Sequence, residues 1–118
     1  MDSILIGTVQ NYDEHFTIGR TKVMSINLYC RRSNKPAVVM VGGKNRPLNF
    51  TQIIQNLKKE GAEISITGTT FFLDGEVITR AESIIDQRTT TLIYPAPDLT
   101  QAVKAAETTI HPQDQKKA

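Results

Sequence analysis

Residues 22–30 alternate without a break, with Met24, Ile26, Leu28 and Cys30 on one side and Val23, Ser25, Asn27 and Tyr29 on the other. A period of two is that of a strand, and an apolar face opposite a mixed one marks a sheet buried on one side only. Neighbouring segments read the same way. Residues 3–10 run Ser-Ile-Leu-Ile-Gly-Thr-Val-Gln, a strand whose internal Gly7 marks a bend or bulge. Residues 37–41 are a continuous apolar run, rich in valine, that Gly42-Gly43 breaks. Residues 62–69 alternate again, with Ile64, Ile66 and Gly68 on one face, and Asp74-Gly75 supplies a turn into an answering strand over 76–86. Between the first two strands, residues 11–20 hold Tyr12, Phe16 and Gly19 and read as a loop or hairpin connection. Residues 31–36 read as a short basic turn.

One segment has the other period. Phe50, Ile53, Ile54 and Leu57 fall at i, i+3, i+4 and i+7, a single apolar stripe on a helix. Asn49 is placed to cap it, with Gln52 as capping-box partner. Lys58 and Lys59 sit in its last turn and Gly61 just beyond. The order is therefore β-β-β-α-β-β. It predicts an all-β fold with one helix: a five-stranded OB-fold Greek-key barrel, the helix between strands 3 and 4 plugging one end.

The chain of 118 residues is read as one folded domain over 1–88. Residues 89–118 are read as a Thr-rich and Pro-rich linker, a short amphipathic helix and a disordered end. That helix would start at Asp98 and carry Leu99, Ala102, Val103, Ala106 and Ile110. The single Cys30 cannot form an internal disulfide and continues the apolar series of its strand, so it reads as a core thiol in a reducing, cytoplasmic setting. No apolar run is long enough to span a membrane, and the N-terminus shows no secretory signal pattern.

Charge is where the function shows. Seven basic residues and no acidic one lie between Arg20 and Arg46: Arg20, Lys22, Arg31, Arg32, Lys35, Lys44 and Arg46. Elsewhere acidic residues outnumber basic ones 12 to 7. Such a cluster is either a solvated face or a surface for a polyphosphate backbone. No catalytic constellation accompanies it. His15 and His111 stand far apart with no ligand-spaced Cys or carboxylate, so neither a metal nor a cofactor is expected. Gly42-Gly43-Lys44 lacks the upstream Gly and the Ser/Thr of a phosphate loop. The exposed face of an OB barrel, on strands 2 and 3 with the 1–2 and 4–5 loops, binds oligonucleotides, cations following phosphates and aromatics stacking on bases. The candidate residues are the seven cations, Arg80, and the aromatics Phe16, Tyr29, Phe71 and Phe72. Tyr29 is the first choice, being opposite the core series and running into Arg31-Arg32. Adjacent strand residues point to opposite faces, so one of Phe71 and Phe72 is expected in the core and the other available.

Several runs carry a family resemblance. Ile4-Leu5-Ile6-Gly7-Thr8-Val9, Val23-Met24-Ser25-Ile26-Asn27-Leu28 and Val38-Val39-Met40-Val41-Gly42 are similar to the first three strands of bacterial single-stranded DNA-binding proteins of the OB type. Leu57-Lys58-Lys59-Glu60-Gly61 resembles the end of their helix, and Ile64-Ser65-Ile66-Thr67-Gly68 with the Asp-Gly turn resembles their last hairpin. The likeness covers about residues 3–86. It implies binding of single-stranded DNA ahead of RNA, in replication, repair, recombination or plasmid and phage DNA handling. It also implies a homo-oligomer, dimer or tetramer, joined through first-strand edges. The chain departs from the family in having no Trp, short 2–3 and 4–5 connections, and an end reading Gln113-Asp114-Gln115-Lys116-Lys117-Ala118 in place of an acidic tip. A specialised relative is expected, a plasmid, phage or primosome-type binder. The alternatives are a single-stranded RNA binder and an OB-fold interaction subunit that takes a protein partner through the segment from Asp98 to Ile110.

Overall fold

The computed structural model describes residues 2–16 and 21–96. Along the chain come β1 (Asp2–Phe16), β2 (Lys22–Cys30), β3 (Lys35–Gly42), α1 (Phe50–Glu60), β4 (Glu63–Leu73), β5 (Glu76–Asp86) and β6 (Thr91–Tyr94). The strand order is β3-β2-β1-β4-β5-β6, and a parallel pairing of β3 with β5 closes the first five strands on themselves. This is the expected OB barrel with its one helix between β3 and β4.

The alternating face of β2 is the wall of the core. Met24, Ile26 and Leu28 are buried against Val39 and Val41 of β3, Ile64 and Ile66 of β4 and Ile84 of β5. Each such side chain contributes about 1.5–3 kcal/mol by leaving water. α1 closes one end of the barrel with Phe50, Ile54 and Leu57. Its C-terminus is as expected. Gly61 is left-handed (φ 64°), and the amides of Gly61 and Ala62 reach Lys58 O and Leu57 O, both at 3.2 Å. Its N-terminus is a correction. Asn49 makes no side-chain cap bond, because φ −108° and ψ 35° depart from the extended geometry that aims a cap side chain at the first turn. Gln52 donates instead to Asn56 Oδ1 at 3.0 Å, one turn on. Main-chain bonds from Phe50 N to Pro47 O (3.1 Å) and from Ile53 N to Asn49 O (3.0 Å) start the helix.

Two further expectations change. Residues 11–16, read as loop, continue β1 and pair in register with β2 out to Phe16 opposite Lys22. β1 thus serves two partners, β4 through residues 2–8 and β2 through residues 8–16, with a bulge between Val9 and Asn11. Gly7 lies near the crossing, where a Cβ would meet Tyr29 O at 2.6 Å. Thr91–Tyr94, within the segment read as linker, forms β6 on β5; Ile93 is buried and Tyr94 stands 6.0 Å from the Phe50 ring at 54°. The anticipated helix from Asp98 to Ile110 and the end beyond it lie outside the described residues. Among the described residues no helix is long and apolar enough to cross a membrane.

Candidate nucleic-acid interface

The register assigns the outer face of the barrel. In-register neighbours point the same way, so Tyr29 shares its side with Thr8 of β1 and Pro36 of β3. The next row outward is Asn27, Val38, Ile78 and Phe71, and the next is Ser25, Met40, Arg80 and Thr69, each crossing β2, β3, β5 and β4. The parallel β3–β5 pairing is what brings Arg80 onto the face of β2 and β3. Val38 and Met40 were hidden in a run that reads as uniformly apolar; pairing with the alternating β2 sends Val39 and Val41 inward and these two outward. Tyr29 is half-buried and outward-facing, and its hydroxyl donates to Asn34 Oδ1. Asn34 holds a left-handed φ of 57° at the end of the turn 31–34, whose amide reaches Arg31 O at 3.2 Å.

The basic cluster, continuous in sequence, is divided in space. Lys22 begins β2 and Lys44 follows β3 at one end, whereas Arg31, Arg32 and Lys35 gather round the β2–β3 turn at the other. The nine residues of β2 hold these groups about 26 Å apart. Lys22 borders an open cleft of about 520 Å³ beside Glu14 and the start of α1. Arg31 is 78% exposed and lies 3.7 Å from Glu63 Oε2, an oxygen buried without a hydrogen bond. An exposed pair of that length contributes at most about 1 kcal/mol. Lys22, Arg32, Lys35, Lys44 and Arg80 are exposed and make no ion pair among the described residues. Arg20 and the Phe16 side chain lie outside the described residues.

Arg46 is a correction. Its side chain is only 9% exposed and every nitrogen is engaged: Nη1 donates to Glu14 Oε1 (2.6 Å), Nε to Gly42 O (2.9 Å) and Nη2 to Val41 O (3.0 Å). The guanidinium also sits 5.2 Å from the Phe50 ring centre. It fastens the end of β3 to β1 and α1, and with the side chain so little exposed it offers solvent hardly any surface on which to receive a phosphate. Phe71 and Phe72 are a second correction. Both are exposed, at 38% and 77%, as are Leu73 and Val77. The β4–β5 hairpin outruns the barrel, so its inner face has no core to meet. Asp74 and Gly75, at φ 50° and 82°, make the two-residue turn that lets it do so.

Cys30 is buried, and burial pushes its thiol pKa up, away from reactivity. Among the described residues no group of three or more His, Cys, Asp or Glu is placed to hold a metal ion.

No protein-family model and no curated protein matches the sequence. Among solved structures the chain is similar to the SSB domain of a protein from Synechococcus sp., with TM-score 0.52 and 13% identity over 70% of this chain and 91% of that one. Two further similar structures are PriB from Ralstonia solanacearum (TM-score 0.49, 7% identity, 72% and 95% covered) and the mitochondrial single-stranded DNA-binding protein of S. cerevisiae (0.47, 15%, 73% and 94%). At such identities the likeness is one of fold: the barrel shares the OB-fold of the Synechococcus SSB domain.

Proposed function

We propose that this protein binds single-stranded nucleic acid, DNA in preference to RNA, and catalyses no reaction. The observation that carries the reading is the set of exposed cations at both ends of β2 and β3 that make no ion pair among the described residues, with Tyr29 and Arg80 on the face between. A strand laid along that face meets Lys22 and Lys44 at one end and Arg32 and Lys35 at the other. Its bases turn toward Tyr29 and the apolar Val38 and Met40. The SSB-type fold supports the reading. The role is then one in replication, repair, recombination or the handling of plasmid or phage DNA.

A fluorescence-anisotropy titration with labelled oligo(dT), repeated with duplex DNA and with RNA, tests it. Oligo(dT) should bind most tightly, with log K falling by about 0.7 per neutralised phosphate for each tenfold rise in salt. The exposed apolar hairpin of Phe71, Phe72, Leu73 and Val77 favours a second reading, a protein-interaction subunit. Absence of oligonucleotide binding at low salt would move that reading to the front.

A further inference from the structure

Among the described residues only one of the barrel's two ends is closed. α1 fills the first. The second opens into a hollow of about 240 Å³ walled by Leu5, Ala37 and Val77, with Thr70 and Thr79 inside and Lys35 at the border. That volume lies below the roughly 300–1,000 Å³ of sites for whole small molecules, and suits a single ring system. Among the described residues no Asp or Glu lines it.

Three hydroxyls form a row at this mouth. Ser3 Oγ and Thr70 Oγ1 are 2.6 Å apart, and Thr70 Oγ1 and Thr79 Oγ1 are 3.0 Å apart. Three protons serve two bonds, so one is left over. When the row runs from Ser3 toward Thr79, the Thr79 hydroxyl is free to donate. When it runs the other way, Thr79 donates to Thr70 and offers lone pairs to the hollow. The row thus presents a donor or an acceptor at no change in geometry, which matches the edge of any nucleobase.

An aromatic stands at the same mouth. Phe72 pairs with Val77, and Thr70 pairs with Thr79 two residues earlier on the same face of the hairpin. Phe72 therefore continues the inner wall of the barrel past its rim, 77% exposed. Phe71 belongs to the outer face.

We propose that the open mouth of the barrel is a subsite for one unstacked base of the bound strand. Phe72 stacks on the base, the Ser3-Thr70-Thr79 row meets its edge without discriminating among bases, and Lys35 takes the adjoining phosphate. The proposal rests on the binding reading above and adds a position to it: one nucleotide leaves the outer face and enters the barrel.

The test is an abasic scan. The shortest oligo(dT) that retains full affinity is made with one abasic nucleotide at each position in turn, and each is titrated against the parent and against Phe72→Ala. Phe72 is exposed, so its truncation leaves the core intact. For the parent, one position besides that stacked on Tyr29 should lose about tenfold in affinity. In Phe72→Ala the unmodified oligonucleotide should lose a similar factor, and the abasic penalty at that position alone should vanish. An unchanged set of penalties in Phe72→Ala overturns the subsite and leaves the binding function standing. Failure of the parent to bind oligo(dT) overturns both.

Discussion

At Tyr29 two roles of one side chain can be separated. The ring offers a stacking platform, and the hydroxyl ties the β2–β3 turn to β2 through Asn34. Tyr29→Ala should weaken oligo(dT) binding by roughly 1–3 kcal/mol with the salt slope unchanged. Tyr29→Phe, which keeps the ring, should retain most of the affinity. Equal losses in both variants would assign the effect to the turn and not to stacking. Arg46 shows the opposite case, a cation that belongs to the fold. Truncation removes three charge-assisted bonds and strands Glu14, so Arg46→Ala should cost about 2–3 kcal/mol in a urea unfolding experiment. The oligonucleotide affinity of the folded fraction should stay at the parent value. No sequence pattern separates Arg46 from Lys44 two residues earlier. What separates them is that Glu14, 32 residues away, faces one and not the other.

Among the elements, those with a complete internal period were legible. β2 shows its buried face residue by residue, α1 shows its stripe and its left-handed Gly61, and Asp74-Gly75 shows its turn. The elements that were missed are those whose pairing lies beyond the core. Residues 11–16 bury little, so their composition stays polar although β2 holds them in register. β6 is four residues long and half exposed. The hairpin bearing Phe71 and Phe72 extends past the last layer of the barrel, so strand parity predicted a core that is not there. One junction between elements is electrostatic. Asp86, ending β5, accepts from the Arg88 amide (3.0 Å), Nε (3.2 Å) and Nη2 (3.0 Å), and Arg88 Nη1 reaches Glu60 at the end of α1 (2.7 Å). The Arg88 side-chain bonds hold the Asp86 carboxyl below its ordinary value of 3.8. A depressed pKa stabilises the fold above the unfolded value, and the contribution is lost as pH falls through the lower, folded one. Urea midpoints of the parent should therefore drop below about pH 4 more steeply than those of Asp86→Asn. Parallel curves would mean that this tie contributes nothing to acid stability.

For the molecule as a whole, the order of elements made the barrel legible, but the binding surface needed three dimensions. A run of seven cations looks like one patch, yet the nine residues of β2 carry its members to opposite ends of the barrel. Residues 3–6, with Ile4 exposed, pair with β4 alone among the described strands, and so present a strand edge of the kind that pairs with another chain. Light scattering at tens of micromolar should accordingly give a multiple of the 13.1 kDa chain, and a monomer mass would discard that assembly. In the proposed binding mode both ends of the barrel hold the phosphates of one strand. Anisotropy titrations of oligo(dT) across a salt series test this with two double variants, Lys22→Ala/Lys44→Ala and Arg32→Ala/Lys35→Ala. Each should bind more weakly than the parent and show a slope of log K against log salt that is shallower by about 1.4, two phosphates' worth. If either pair keeps the parent affinity at low salt and the parent slope, that end of the barrel is a solvated face and the strand does not span the two.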